Sequence, residues 1–257
     1  MEINFKTYSS PKIVRLYHSL DDPLQKPENT IFNILKPIMV DTKMLDIGVG
    51  GGRTTKYFAP SVKEYIGIDY IEDLTTICKK KFPHFKFLTA DIRDLSMFSK
   101  DEFDFILFSF NGIDYISHND RLTALNQIKR ILKTKGYFCF SSHNIQLINT
   151  WNRAKFSISP FSFIDNLFKY YKRKSINKLT TDKIRELVNA DYAVLNDGSH
   201  YWQLQTYYVK IDFQIKILVE AGFKDIRIFD LKKGKELDEN GIRNNKDGWV
   251  YYLCNKG

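Results

Sequence analysis

Apolar residues in the first 26 positions follow no sustained period, and Pro11 and Pro23 interrupt them, so this stretch reads as loosely organised. Beyond it the pattern becomes regular. Ile31, Ile34, Leu35 and Ile38 recur at helical spacing, which predicts a helix over Thr30–Met39 with Asn29 as its cap. Apolar runs then alternate with helical periods. Strands are expected at Lys43–Gly48, Tyr65–Asp69, Phe85–Thr89, Phe103–Phe108 and Tyr137–Ser142. A short helix through Phe58, one over Glu72–Lys81 and one from Asn119 or Asp120 to Leu132 fall between them. Strands alternating with helices at this rhythm imply a parallel sheet covered on both faces.

After Ser142 the rhythm fails. About 65 residues rich in aromatics and Lys show no clear alternation, and 145–205 reads as an inserted helical segment, a lid or acceptor-binding element. The sheet pattern returns with a helix over Val209–Gly222 and strands over Lys224–Phe229 and Trp249–Cys254. The last two strands, joined by a polar stretch, can pair antiparallel. One α/β domain carrying a helical insertion is expected.

Charge and cysteines narrow the picture only slightly. The 257 residues carry a net charge of +9, and eight cations against two acids in 144–183 put +6 of it in one segment. Basic charge makes an anionic partner conceivable. Its concentration in the insertion, with no appended binding domain, disfavours nucleic acid. Cys78, Cys139 and Cys254 form no CxxC pair and are odd in number, which fits a reducing cytoplasm and offers no metal cluster. Neither a signal peptide nor a transmembrane segment is read from the pattern.

The chemistry concentrates at strand ends. Met44–Thr55 reads MLDIGVGGGRTT: a strand, an acid, a glycine-rich turn and a helix start. Glycine lets such a turn bend sharply and lets a ligand lie against bare backbone. Asp46 stands two residues before the first glycine, where a carboxylate can meet an ammonium. Asp69 closes the second strand and can take two ribose hydroxyls, with Tyr70 beside it to flank an adenine. Asp91 and Ile92 follow the third strand in TADIRDL, and FDFILFSFNGIDYI carries the fourth strand into a loop at the sheet's switch point.

DIGVGGG, GIDY, ADIRDL and FDFILFSF together resemble the successive cofactor motifs of class I S-adenosylmethionine-dependent methyltransferases. The resemblance implies a Rossmann-like, seven-stranded, mostly parallel sheet with an antiparallel last strand and helices on both faces. It implies S-adenosylmethionine as cofactor, with Asp46, Gly48 and Gly50 on its methionine portion, Asp69 on the ribose, Asp91 and Ile92 on the adenine, and Phe108 as the pocket floor. Arg53 is a candidate for the cofactor carboxylate, or equally for a surface salt bridge. One departure stands out: Gly50, Gly51 and Gly52 are consecutive, where the familiar pattern has a variable residue before its third glycine. FNGIDYI, QIKRILKTKGYF and SSHN also resemble small-molecule and sugar-tailoring methyltransferases.

That resemblance leads to a small-molecule acceptor methylated on N or O, such as a sugar, nucleotide-sugar or natural-product intermediate. A macromolecular acceptor (RNA or a protein amine) and an inactive cofactor-binding partner subunit are the alternatives. Asn111, Asp114 and Tyr115 are expected to face the acceptor. A hydroxyl acceptor benefits from a base, and His143, His200 and His118 are the candidates. No His–carboxylate pair stands out along the chain, which leans the reading toward an amine. Phe161, Ile164, Phe168 and Tyr171 recur at helical spacing beside Lys169, Lys172, Arg173 and Lys174. This is the pattern of a lid helix packing its apolar face on the domain, of a cation source for an acidic acceptor, or of a contact with a lipid surface.

Overall fold

A computed structural model of the chain describes residues 2–19, 22–154 and 156–257, without the side chains of Glu2 and Ile3; Lys155 of the basic segment is outside it. Strands β1 (Lys43–Ile47), β2 (Glu64–Asp69), β3 (Lys86–Thr89), β4 (Phe103–Phe108) and β5 (Leu132–Asn144) run parallel in the order β3-β2-β1-β4-β5. Beyond β5, the C-terminal strand Trp249–Lys256 pairs antiparallel along Tyr137–His143, and Phe223–Asp230 pairs antiparallel with it in turn. These seven strands make the Rossmann-like sheet with an antiparallel last strand. Alternate strand residues enter opposite cores. Leu45, Ile106 and Phe138 pack on one face, and Met44, Phe105 and Cys139 on the other.

Four expectations need correction. Residues 1–26 are largely helical, as α1 (Glu2–Tyr8) and α2 (Pro11–Ser19), with Tyr8, Ile13 and Val14 buried against Ile71, Leu74 and Leu204. The period was hidden because both helices are short and α1 buries the polar residues Asn4 and Thr7. Asn4, for example, donates to the carbonyls of Tyr115 and Gln205, each at 2.9 Å. Helix α3 (Lys26–Met39) starts earlier than its apolar period suggests, so Asn29 is interior. Pro27 occupies its first turn, and Glu28 reaches back to accept from the Gln25 N–H at 2.6 Å.

The insertion is the third correction. Helices α4 (Thr55–Phe58), α5 (Glu72–Lys81) and α6 (His118–Ile131) precede it, and it contains α7 (Pro160–Ile176) and α8 (Thr181–Asn189). It also contains a strand, β6 (Tyr192–Leu195), which pairs antiparallel with β7 (Thr206–Val209) at its C-terminal border. β7 pairs parallel with His143 and Asn144, on the edge of β5 that β4 no longer occupies past Phe108. The full sheet therefore has nine strands, the last two being β8 (Phe223–Asp230) and β9 (Trp249–Lys256). All four residues of β7 are buried, and a short, wholly apolar run is indistinguishable from a helix start by period alone. The following helix accordingly spans Ile211–Glu220 instead of beginning at Val209.

The fourth correction concerns the stripe of Phe161, Ile164, Phe168 and Tyr171. It faces outward, and α7 has no buried residue.

Candidate active site

The glycine turn is built by contacts from two directions. Gly48, Gly50 and Gly52 have φ of +66°, +54° and +86°, a region that residues with a Cβ rarely enter. A Cβ on Gly48 would lie 2.9 Å from the Phe108 ring, so Phe108 closes against the turn from β4. A Cβ on Gly51 would lie 2.0 Å from the Tyr17 carbonyl oxygen. Gly51 therefore lets the backbone of α2 lie directly on the loop. Lys81 tethers the same place, donating to the carbonyls of His18 (2.6 Å) and Gly51 (3.2 Å).

Between this turn and the ends of β2, β3 and β4 is a cavity of about 670 Å³. Gly48, Gly50, Asp69, Tyr70, Asp91, Ile92, Phe108 and Tyr115, all singled out from sequence, line it. Asp69 is buried and accepts from the N–H of Gly50 and of Ile71, each at 3.0 Å, one on each oxygen. Burial pushes its carboxyl up to about 6, against the pull of the N–H groups of Ile71, Gly50 and Tyr70. Each oxygen retains acceptor capacity for a vicinal diol. Asp91 forms a two-pronged ion pair with Arg93, at 2.6 and 3.0 Å.

Sequence reasoning missed Arg93, which also lines the cavity, and it missed the roof. Asn4, Phe5, Tyr8 and Tyr17 close the cavity from above. Their rings interlock with it: Tyr70 lies 5.5 Å from Phe5 and 6.2 Å from Tyr8, and Tyr8 lies 5.4 Å from Tyr115. The available signal was three aromatics in a 17-residue stretch with Ser9, Ser10 and Pro11 between the second and third, a helix stop and start that suited two short helices better than loop. Among the described residues, none of 145–205 lines the cavity. The insertion reaches it indirectly, through His200 stacked parallel on Tyr17 at 6.0 Å.

Two expected cofactor residues point elsewhere. Asp46 is buried behind the turn, where one carboxylate oxygen accepts from Thr54 (2.6 Å) and Tyr65 (2.7 Å). Burial raises its carboxyl to about 6. Arg53 grips Glu28 in a bidentate pair, with one bond at 2.7 Å, and lies over the Phe110 ring. Glu28 is fully enclosed and also accepts from Ser109 and Tyr251. This network braces α3 against the ends of β4 and β9.

The acceptor candidates separate into three places. Asp114 and His143, far apart in sequence, meet: Asp114 Oδ2 lies 2.7 Å from His143 Nδ1 and accepts the His143 N–H at 2.7 Å. Its other oxygen takes Arg121 (2.5 Å) and Ser142 (2.6 Å), and Arg121 continues to Gln214 (2.7 Å). With Asp114 on Nδ1, the free lone pair belongs to Nε2, which faces the Asn111 amide at 3.4 Å. Asn111 Oδ1 is buried without a hydrogen-bond partner. Asn111, Asp114 and His143 stand just behind Tyr115 and do not line the cavity.

His118, by contrast, stacks on Tyr192 at 4.4 Å and bonds the Tyr207 hydroxyl at 2.8 Å, among aromatics of the β6–β7 hairpin. Burial lowers its pKa. His200 lies between Tyr8 and Tyr17 with Nδ1 buried and unpartnered, and burial lowers its pKa too. It sits in a turn where three consecutive non-glycine residues, His200, Tyr201 and Trp202, have positive φ.

A family model described as a methyltransferase domain matches residues 44–136, from β1 to the start of β5's paired region. An uncharacterised methyltransferase of Bacillus subtilis, YcgJ, is 30% identical over 108 residues. That alignment spans 39% of this chain and 40% of the relative, so the chain matches about two fifths of its curated relative's length. Among solved structures, an S-adenosylmethionine-dependent methyltransferase from Mesorhizobium loti superposes with a TM-score of 0.61 at 12% identity, covering 90% of this chain and 98% of that one. A Burkholderia thailandensis 1,6-didemethyltoxoflavin N1-methyltransferase, bound to its acceptor and S-adenosylhomocysteine, superposes with a TM-score of 0.59 at 14% identity, over 99% and 87%.

The fold is that of the class I, Rossmann-like methyltransferases. Residues 44–136 of this chain match a methyltransferase domain, set within that fold.

Proposed function

We propose that this chain moves the methyl group of S-adenosylmethionine to a nitrogen or oxygen of a small-molecule acceptor, a sugar or natural-product ring that gives up a proton in the reaction. The cavity carries the reading. It offers a carboxylate with free acceptor capacity at Asp69, bare backbone at Gly48 and Gly50, and a polar edge at Asp91 and Ile92, a donor and acceptor set that suits ribose, amino-acid and adenine portions in turn. The cofactor supplies an electrophilic methyl on a sulfonium. The protein's work is to align the acceptor and exclude water.

Phe5, Tyr8 and Tyr17 roof the cavity, which favours a compact ring over a folded macromolecule as the acceptor. The Burkholderia neighbour, with its small acceptor bound, has the same fold. The Asp114–His143 pair supplies what the amine reading assumed to be missing. The pair stands behind Tyr115, so an acceptor in the cavity reaches it only where that ring gives way. Asp114 fixes the imidazole, and Nε2, which faces Asn111 Nδ2 at 3.4 Å, would then take the proton of a hydroxyl or a ring N–H, with the unpartnered Asn111 Oδ1 accepting a hydrogen bond from the same molecule.

Methyl transfer to a panel of sugar and heteroaromatic acceptors, followed by mass spectrometry, tests the reading. His143→Ala should lower turnover on the true acceptor by ~10²–10⁴-fold with cofactor affinity unchanged. Methylation of RNA or protein, with no small molecule modified, would contradict it.

A further inference from the structure

We propose that α7 and the chain leading into it form a docking surface for anionic lipid bilayers. The helix is placed without using its apolar side chains. Its inward contacts are polar or cation–π: the Arg173 guanidinium lies 4.7 Å over the Trp151 ring and donates to the Asp197 carbonyl, and Tyr170 reaches the Asn152 carbonyl. The apolar residues face the other way. Phe161 is 86% exposed, Ile164 63%, Phe168 57% and Tyr171 62%, at the three-and-four spacing of a single helix face. Phe156 and Ile158, just before the helix, are 83% and 93% exposed. A soluble domain rarely leaves so many large apolar groups in one patch without a use for them.

Charge selects the occupant. Lys172 and Lys174 stand on either side of this face, Lys169 lies further round in an ion pair with Asp165 at 2.6 Å, and the surrounding segment 144–183 holds +6 of the chain's +9. A second copy docking by the same patch would bring that positive charge against itself, since a two-fold interface is self-complementary. An anionic surface is attracted instead. A bilayer also needs no matching groove, whereas side chains projecting this far from a convex helix would require one in a protein partner. Aromatic and aliphatic residues on one face with lysines beside them are the form of a helix that lies in a membrane interface. None of these residues lines the cofactor cavity, so the inference stands apart from the methyl-transfer reading.

Sedimentation with vesicles tests it. Full-length protein should pellet with vesicles of equimolar phosphatidylcholine and phosphatidylserine and stay in solution with phosphatidylcholine alone. Replacing Lys169, Lys172 and Lys174 by Gln should weaken the association on the order of a hundredfold. The triple change Phe161→Ser, Ile164→Ser and Phe168→Ser should abolish it while leaving the melting temperature and S-adenosylhomocysteine affinity intact, because these side chains support nothing in the fold. Equal behaviour with both vesicle types would overturn the proposal, as would either variant pelleting like wild type. Concentration-dependent dimerisation that the serine variant abolishes would also overturn it, by showing that the patch meets a second copy.

Discussion

Asp46 and Asp69 were both legible as strand-end acids, yet they do different work, and only side-chain surroundings distinguish them. Asp69 faces the cavity, whereas Asp46 is turned inward onto Thr54 and Tyr65. Spacing places a residue at a strand end; it does not say which way a carboxylate rotates once a buried tyrosine hydroxyl competes for it. The Asp46 carboxyl has a folded pKa of about 6 against an ordinary 3.8, so the native state holds its proton more tightly than the unfolded chain. Its ionised form therefore opposes folding: stability contributed by the protonated acid is present below about pH 4 and is lost as pH rises toward 6. The penalty is on the order of 3 kcal/mol. Asp46→Asn keeps an acceptor for both hydroxyls and removes the charge. Its melting temperature relative to wild type should be more favourable at pH 8 than at pH 4, and a pH-independent difference would show that folding leaves the Asp46 pKa where it is in the unfolded chain. Asp114 and His143 were each named from sequence, but as an acceptor contact and a lone base. Their pairing depends on the turn after β4 folding back on the end of β5, a contact between residues 29 apart that no local pattern reports.

At the scale of elements, six of the seven core strands were read within a residue or two at both ends, because strands buried on both faces are continuous apolar runs. The one that ran longer is β5, which begins at Leu132. The N-terminal helices and the β6–β7 hairpin escaped, since elements of four to nine residues are too short to show a clean period. They matter to the site, because α1 and α2 roof it. Gly51 is the hinge of that arrangement: the departure from the family's glycine spacing coincides with the point where the Tyr17 carbonyl crosses the loop. Gly51→Ala should prise α2 from the turn. Calorimetry should find S-adenosylhomocysteine bound roughly tenfold more weakly, and limited proteolysis should cut the N-terminal segment faster. Unchanged affinity and cleavage would mean that α2 is free to leave the loop without cost. Excising residues 145–205 is a poor test of the insertion, since it removes β6, the partner of the β7 strand whose Tyr208 pairs with His143, and Gln205, which accepts from and donates to Asn4. His200→Ala is cleaner. It removes the ring stacked on Tyr17 without touching the sheet, and should raise the Michaelis constant for the acceptor more than that for the cofactor. An equal rise in both would place His200 in the roof alone.

Across the whole molecule, the glycine turn and the strand-end acids Asp69 and Asp91 converge on one cavity, while the excess positive charge is carried elsewhere, on α7 and its neighbours. Among the described residues no helix is long and apolar enough to cross a membrane. The sequence pattern conveyed the sheet and the cofactor side well, because both are built from local strand–turn–helix units. It conveyed the acceptor side poorly, because that side is assembled from the N-terminus, the turn after β4, the end of β5 and the insertion at once. The claim on which everything else depends is that the cavity holds S-adenosylmethionine through Asp69. Titration calorimetry of S-adenosylhomocysteine into wild type and Asp69→Ala tests it directly. Binding in the micromolar range, about −8 kcal/mol, is expected for wild type, with a loss of about 1–3 kcal/mol in the variant as two ribose hydroxyls lose a charged acceptor. Wild-type protein that binds NADH and gives no heat with S-adenosylhomocysteine would contradict the account.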